Sequence, residues 1–496
     1  MDTQDPKDVA AFGRLFDAFL HQIVYREEQP DAAHSLLRRL ADHLGRPPQE
    51  TPVVKAIRPP YDHANVHLAL ERWFTTEGRS HELVGVTGEN RRYESLSELL
   101  VTAQRHGRYQ IGAVDYAYVP VSTDEELACV SFGLYLGSDG DDRYAVLLRG
   151  PSGEYDGNHV SIEVLAPSRD AAKRLLSGID RLIRDHNVFR GKVISFEGSD
   201  FSEGIGPFRF HPRPALDAAD IVLPEGLLPR VERQVVGVAR RRERLRATGQ
   251  HLRRGLLLYG PPGTGKTHTV RYLLSQLPEF TVVVLAGTTI QHVGAACSLA
   301  RQLQPALVVL EDCDLVAEAR DYSDGEQPLL FQVLNEMDGL GDDADVAFLL
   351  TTNRADLLEP ALAQRPGRVD MAVEIPLPDG PGRRRLLELY GGPLGLDGDT
   401  MEEVVARTEG TTASFTKELV RRTVLFAAER EAAEIRPGDL TEALDELLSD
   451  RDALTRRLLG VPDPDRSRAG RAAGAADDLA DPDDLDGLGD LDPDFA

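Results

Sequence analysis

Residues 255–277, GLLLYGPPGTGKTHTVRYLLSQL, constrain this chain more than any other stretch. The apolar run Gly255 to Tyr259 reads as a buried parallel strand, and Thr267 to Leu277 reads as a helix. Between them stands Gly260-Pro261-Pro262-Gly263-Thr264-Gly265-Lys266-Thr267, which is G-x-x-x-x-G-K-[ST] in the strand–loop–helix context that the motif requires. Glycines let the backbone wrap closely round a phosphate with successive N–H groups pointing inward. The helix that follows adds the positive end of its dipole. Gly260 through His268 are therefore the expected phosphate-binding set. Lys266 is expected to reach the β- and γ-phosphates, and the Thr267 hydroxyl to sit on Mg²⁺. The stretch predicts binding of a nucleoside triphosphate with Mg²⁺.

A second signal stands about 40 residues after the lysine. The apolar strand Ala306 to Leu310 ends in Glu311-Asp312, and phosphoryl transfer needs such an acidic pair opposite a phosphate loop. One carboxylate helps to hold Mg²⁺ and the next orients the attacking water. Glu311 is read as the metal-side carboxylate and Asp312 as the water-side one. Phe348 to Thr352 is another strand, ending in Asn353, whose amide can bond the same water or the γ-phosphate. Arg365 and Arg368 follow in Arg365-Pro366-Gly367-Arg368. They are read as arginine fingers for a neighbouring subunit, with surface salt bridging as the plainer alternative.

The length, 496 residues, suggests two to four domains at roughly 150 residues each. Residues 1–50 look helical, with apolar spacing at Phe12, Leu15, Phe16, Phe19, Leu20 and Ile23. Residues 60–212 read as a mixed α+β client or adaptor domain. They hold a helix over Val66 to Phe74, strand runs at 115–121, 127–136, 143–149, 159–165 and 191–197, and a helix over Ser168 to Asp185. His81-Glu82 begins like the zinc-protease motif H-E-x-x-H, but position 85 is Gly. His63 and His67 share helical i,i+4 spacing without a third ligand in view. Residues 213–254 read as a Pro-rich linker and a basic helix bearing Arg240, Arg241, Arg242, Arg244 and Arg246, a solvated or subunit-facing surface. From 255 to 378, apolar strands with helical crossovers predict a parallel sheet covered on both faces, an α/β P-loop domain. Residues 379–450 predict a helical lid. Beyond Arg471 there are nine Asp and no Lys or Arg, interleaved with Leu479, Leu485, Leu488, Leu491 and Phe495. That segment is expected to be disordered and suited to partner docking.

Net charge −26 argues against nucleic acid as a ligand, since phosphate backbones need a basic surface. No run of 18 apolar residues occurs, so no membrane span is predicted. Three cysteines without ligand spacing and a polar N-terminus suggest a reduced, cytoplasmic protein.

Residues 220–450 resemble an AAA-family ATPase module of the kind in FtsH-type proteases, proteasomal ATPases and related unfoldases. GPPGTGKT (260–267), VVLEDCD (308–314), NEMDGL (335–340), LLTTNRADLLEPAL (349–362) and RPGRVD (365–370) carry the resemblance. The overall pattern also resembles a single-ring group common in actinobacteria. The resemblance implies a homo-oligomeric ring, usually a hexamer, with ATP between subunits. It implies that Asp338, Gly339 and Leu340 report nucleotide state to the next subunit, and that the backbone at Ala413 and Ser414 lies against adenine. By position, His292, Val293 and Gly294 stand where the family carries its pore loop, with His292 in place of an aromatic. The order Glu311-Asp312 also departs from the family's usual Asp then Glu, and resembles the mitochondrial inner-membrane AAA assembly factor. The resemblance therefore implies an ATPase that remodels, unfolds or disassembles a protein client, with no protease site. The alternative is an ATP-driven switch or assembly scaffold that does not thread. A nucleic-acid motor rests only on the basic cluster at 240–254.

Overall fold

The computed structural model describes residues 15, 35–88, 90–106, 109–152, 158–196, 208–313, 335–336, 339, 341, 344–354, 369–392, 397–430 and 435–449. Most of the expected N-terminal helix, Arg365, Arg368, Asp338, Leu340 and the acidic C-terminal segment lie outside them.

Two seven-stranded sheets organise the described residues. The first is antiparallel throughout: β1 (Val53–Arg58), β2 (Arg79–Val86), β3 (Ile111–Gly112), β4 (Asp115–Pro120), β5 (Glu126–Asp139), β6 (Asp142–Arg149) and β7 (Val160–Leu165). Its order is β1-β7-β6-β5-β2-β3, with β4 paired to β5. Successive side chains point to opposite faces, so one strand feeds two cores. Val146 and Leu148 of β6 join α2 (His63–Thr75) and α4 (Arg169–Asp185) on one face. Ala145 and Leu147 join α1 (Leu36–Leu44) and α3 (Leu96–His106) on the other. Ser168 caps α4 by accepting from Ala171 N–H at 3.1 Å. The start of α3 is held by a buried carboxylate from across the sheet, as Leu96 N–H donates to Glu163 Oε2 at 2.7 Å.

The second sheet has the order β14-β10-β13-β12-β11-β8-β9. Its members are β8 (Val193–Phe196), β9 (Phe208–His211), β10 (Arg254–Tyr259), β11 (Thr281–Ala286), β12 (Ala306–Glu311), β13 (Val346–Thr352) and β14 (Met371–Glu374). Every pairing is parallel except the edge pair β8–β9. Apolar residues fill both faces: Val308 and Leu310 of β12 pack on one side, Leu307 and Val309 on the other. That is why these strands read as unbroken apolar runs rather than alternating ones. Helices α5 (Lys266–Ser275) and α6 (Val293–Gln302) follow β10 and β11 as crossovers. A buried ion pair, Arg254 Nη1 to Asp345 Oδ1 at 3.0 Å, joins the start of β10 to the approach to β13.

The boundary expected at residue 212 does not coincide with the sheet boundary. β8 and β9 come earlier in the chain, yet β8 pairs with β11 in the second sheet. Residues 213–229 do not hang free either. Arg213 donates to the carbonyls of Leu274, Leu277, Gly191 and Phe280 at 2.7–3.1 Å, pinning the segment to the far end of α5. The basic helix is not continuous: α-helical turns at Leu227–Glu232, Val238–Arg240 and Arg242–Ala247 flank a π-helical stretch, Arg233–Gly237.

The lid comprises α7 (Gly380–Gly391), α8 (Gly398–Arg407), α9 (Ala413–Glu429) and α10 (Pro437–Leu448) around their own apolar core, with Phe415, Leu419, Leu440 and Leu444 fully buried. Asp379, Asp397 and Thr412 cap three of these helices through side-chain oxygens. The protein thus combines an α/β parallel-sheet P-loop domain and a helical lid with an α+β region before them.

Candidate nucleotide site

The site forms at the carboxyl edge of β10, β13 and β12, three neighbouring strands. Register brings the strand ends level: Tyr259 pairs with Thr352, and Leu310 with Leu350. The loop leaving β10, the amide leaving β13 and the acidic pair leaving β12 therefore share one rim.

Gly260, with φ +141°, passes so close to β14's exit that a Cβ there would stand 2.3 Å from the Ile375 carbonyl oxygen. Gly263 and Gly265 also have positive φ, at +76° and +103°. This is a backbone that only glycine adopts without strain. Lys266 opens α5 and is 5% exposed; its Nζ donates to the carbonyls of Gly260 and Pro261, each at 2.8 Å. Thr264 Oγ1 donates to Pro261 O at 2.9 Å and stiffens the same turn. Pro262 and Thr267 are exposed, and His268 lies partly buried beside them. The first N–H groups of a helix have no intrahelical acceptor, so the loop and helix start form a concave donor surface.

Asp312 follows β12 with φ +52°, in the left-handed region that Asp and Asn enter more readily than other non-glycine residues. Its N–H donates to Thr351 Oγ1 at 3.1 Å, and the next N–H, of Cys313, donates to Thr351 O at 2.9 Å. Asn353 Nδ2 donates to Asp312 Oδ1 at 3.3 Å. The expected trio Glu311, Asp312 and Asn353 is thus brought together. Burial raises the Glu311 carboxyl above its ordinary 4.5, and the adjacent Asp312 pushes it the same way. Arg271 pulls the other way, more weakly.

Beside the loop opens a cleft of about 220 Å³, walled by Gly263, Thr264, Ala413 and Ser414. Ser414 N–H donates to Gly263 O at 3.1 Å, tying lid to loop. Sequence reasoning missed the rest of the wall: Ile221 and Val222 from the Pro-rich segment, and Leu386 and Tyr390 of α7. The apolar run Ile221-Val222-Leu223 among prolines was the available signal. Cleft and loop together fit a nucleotide: an apolar slot for a base, then N–H groups and an ammonium for phosphates.

The other expected residues lie apart from this rim. His292 ends the 3₁₀ turn Gly287–His292 that leaves β11 and begins α6. Its ring stands 5.6 Å from Phe196 of β8, and burial lowers its pKa below the usual 6.5. Val293 is fully buried in the sheet core, and Gly294 backs onto Glu336. Gly339 lies near Arg301, which pairs with Glu336 at 2.8 Å.

The family described as "ATPase family associated with various cellular activities (AAA)" matches residues 256–377. The chain is similar to "ATP-dependent zinc metalloprotease FtsH 3" of Sphaerobacter thermophilus, 34% identical over 261 residues, which are 50% of this chain and 52% of that protein. It is similar to "Proteasome-activating nucleotidase" of Methanothermobacter thermautotrophicus, 32% identical over 209 residues, covering 39% of this chain and 51% of that one. "26S proteasome regulatory subunit 6A" of Encephalitozoon cuniculi is 32% identical over 211 residues, covering 40% and 52%. The chain spans about half the length, or less, of these curated relatives. Among the described residues no helix is long and apolar enough to cross a membrane. Glycine loop, buried lysine, acidic strand end and matching family agree: residues 256–377 are an AAA ATPase domain.

Proposed function

We propose that the chain hydrolyses ATP with Mg²⁺, as a homo-oligomeric ring of about six subunits, to remodel a protein client engaged by the antiparallel sheet region. The convergence of Lys266, Asn353 and the Glu311-Asp312 pair on one sheet rim carries this reading. Gly260 to His268 would hold the phosphates, with Ala413 and Ser414 beside the base. Thr267 and Glu311 would hold Mg²⁺, which when bound neutralises phosphate charge. Asp312 orients water, and Asn353 fixes the Asp312 carboxylate through the amide that reaches it. Arg365 and Arg368 serve the neighbouring subunit, and Asp338, Gly339 and Leu340 relay nucleotide state between subunits. The rings implied by relatives named for proteasomes and FtsH support the assembly. No H-E-x-x-H occurs in this sequence, so proteolysis is not part of the proposal.

A switch without threading has one observation in its favour. Val293 is buried and the His292 ring, partly buried, stands beside Phe196, so this turn presents no exposed apolar or aromatic side chain to a passing chain. Substituting His292 separates the two. Threading predicts that His292→Ala leaves basal ATPase intact and abolishes remodelling, while His292→Tyr preserves it through aromatic contact area. Equal remodelling by all three proteins leaves the switch.

A further inference from the structure

Trp73 is the chain's single tryptophan. It is 5% exposed and packs on α4 where Gly178 leaves room; a Cβ at 178 would come within 1.8 Å of the indole. Its Nε1 has no hydrogen-bond partner. The Arg79 guanidinium covers the ring at 3.6 Å and is itself held by Asp139. Trp73 also lines a cleft of about 460 Å³ with Lys173, Arg174, Arg181 and Arg184 around it, against Asp170 alone. Positions 173, 177, 181 and 184 form one stripe of α4. Asp142 engages Arg174 at 2.7 Å, whereas Lys173 and Arg181 make no ion pair among the described residues.

A basic cleft with an aromatic wall is out of character for a chain of net charge −26. It does have a complement in the same sequence. Residues 477–495 hold nine Asp and no Lys, Arg or Glu, with four leucines and Phe495 between them. We propose that this acidic segment docks in the Trp73 cleft, of its own subunit or an adjoining one. The aspartates face Lys173, Arg181 and Arg184, and a leucine or Phe495 lies against the indole. Roughly 28 residues separate Ser449 from Asp477, a reach of up to ~90 Å when extended.

The full-length protein carries its own probes. It has six lysines, so a zero-length carbodiimide bond between an aspartate and Lys173 is identifiable by peptide mass. Docking predicts a Lys173 cross-link to an Asp within 477–494, lost in Lys173→Arg and suppressed by high salt. It also predicts that acrylamide quenches Trp73 less in the native chain than in a variant with the nine aspartates changed to Asn. Arg181→Glu should raise quenching to the level of that variant while leaving the thermal transition and ATP turnover in place. Cross-links that join the segment only to other lysines, or none at all, overturn the proposal. So does Trp73 quenching that ignores both the Asn variant and Arg181→Glu.

Discussion

Asp312 is the residue on which the proposed chemistry turns, and hydrogen bonds hold its backbone in place. A positive φ costs a non-glycine residue ~1–2 kcal/mol, offset here by Thr351 on the N–H and Asn353 on the carboxylate. Asn tolerates the same conformation, so Asp312→Asn should fold, bind ATP and lose turnover by ~10²–10⁴-fold, the usual worth of a positioned proton acceptor. Glu311→Gln should weaken Mg²⁺–ATP binding as well as turnover. Nucleotide affinity and turnover, measured separately for each variant, check the assignment. If Glu311→Gln traps ATP while Asp312→Asn turns over, the two roles are reversed.

At the scale of elements, α2 is entered through a costly residue. Asp62 occupies its N-cap position without making a capping bond, and burial pushes its carboxyl up to about 6. Asn65 and Arg58 pull the other way, and Asp180 adds to the rise. A raised carboxyl pKa means that the folded state holds its proton longer than the unfolded one. Stability is thus full below the ordinary 3.8 and falls as pH rises through about 6. Asp62→Asn should therefore stabilise the fold at pH 7–8 by ~1–2 kcal/mol after allowance for its partial access to water, seen as a higher thermal transition, and change little below pH 4. Melting curves across that window test it; a gain independent of pH rules the mechanism out. Elements differed in how legible they were. β10 to β13 announced themselves because strands buried on both faces are unbroken apolar runs. β1 and β2 were not read, since half-exposed strands such as Val53–Arg58 mix Lys55 and Arg58 with apolar residues. The glycine loop, acidic pair and Asn353 were readable because each sits at a strand end. The base-side wall was not, because Ile221, Val222, Leu386 and Tyr390 converge from segments far apart in sequence.

At the scale of the whole molecule, Arg365 and Arg368 are proposed to reach the transferred phosphate from the next subunit. Arg365→Ala should keep ATP binding and lose ~10³-fold or more in turnover. Mixing it with Lys266→Ala protein should restore part of the activity at mixed interfaces. No recovery, with subunit exchange shown independently, assigns the arginine to its own subunit.

The placement of β8 has a mechanical consequence. Only seven residues, 186–192, separate the end of α4 from β8, and only β11 stands between β8 and the strand that ends in Glu311. Tyr61 rests on Phe208 of β9, and Asn65 Oδ1 accepts from the Val188 N–H, so the junction is clasped on both sides. The antiparallel sheet is therefore no bead on a string. Under the proposed ATP turnover it would serve as a lever arm, with any tilt of the parallel sheet passed to it as torque instead of being absorbed in a slack linker.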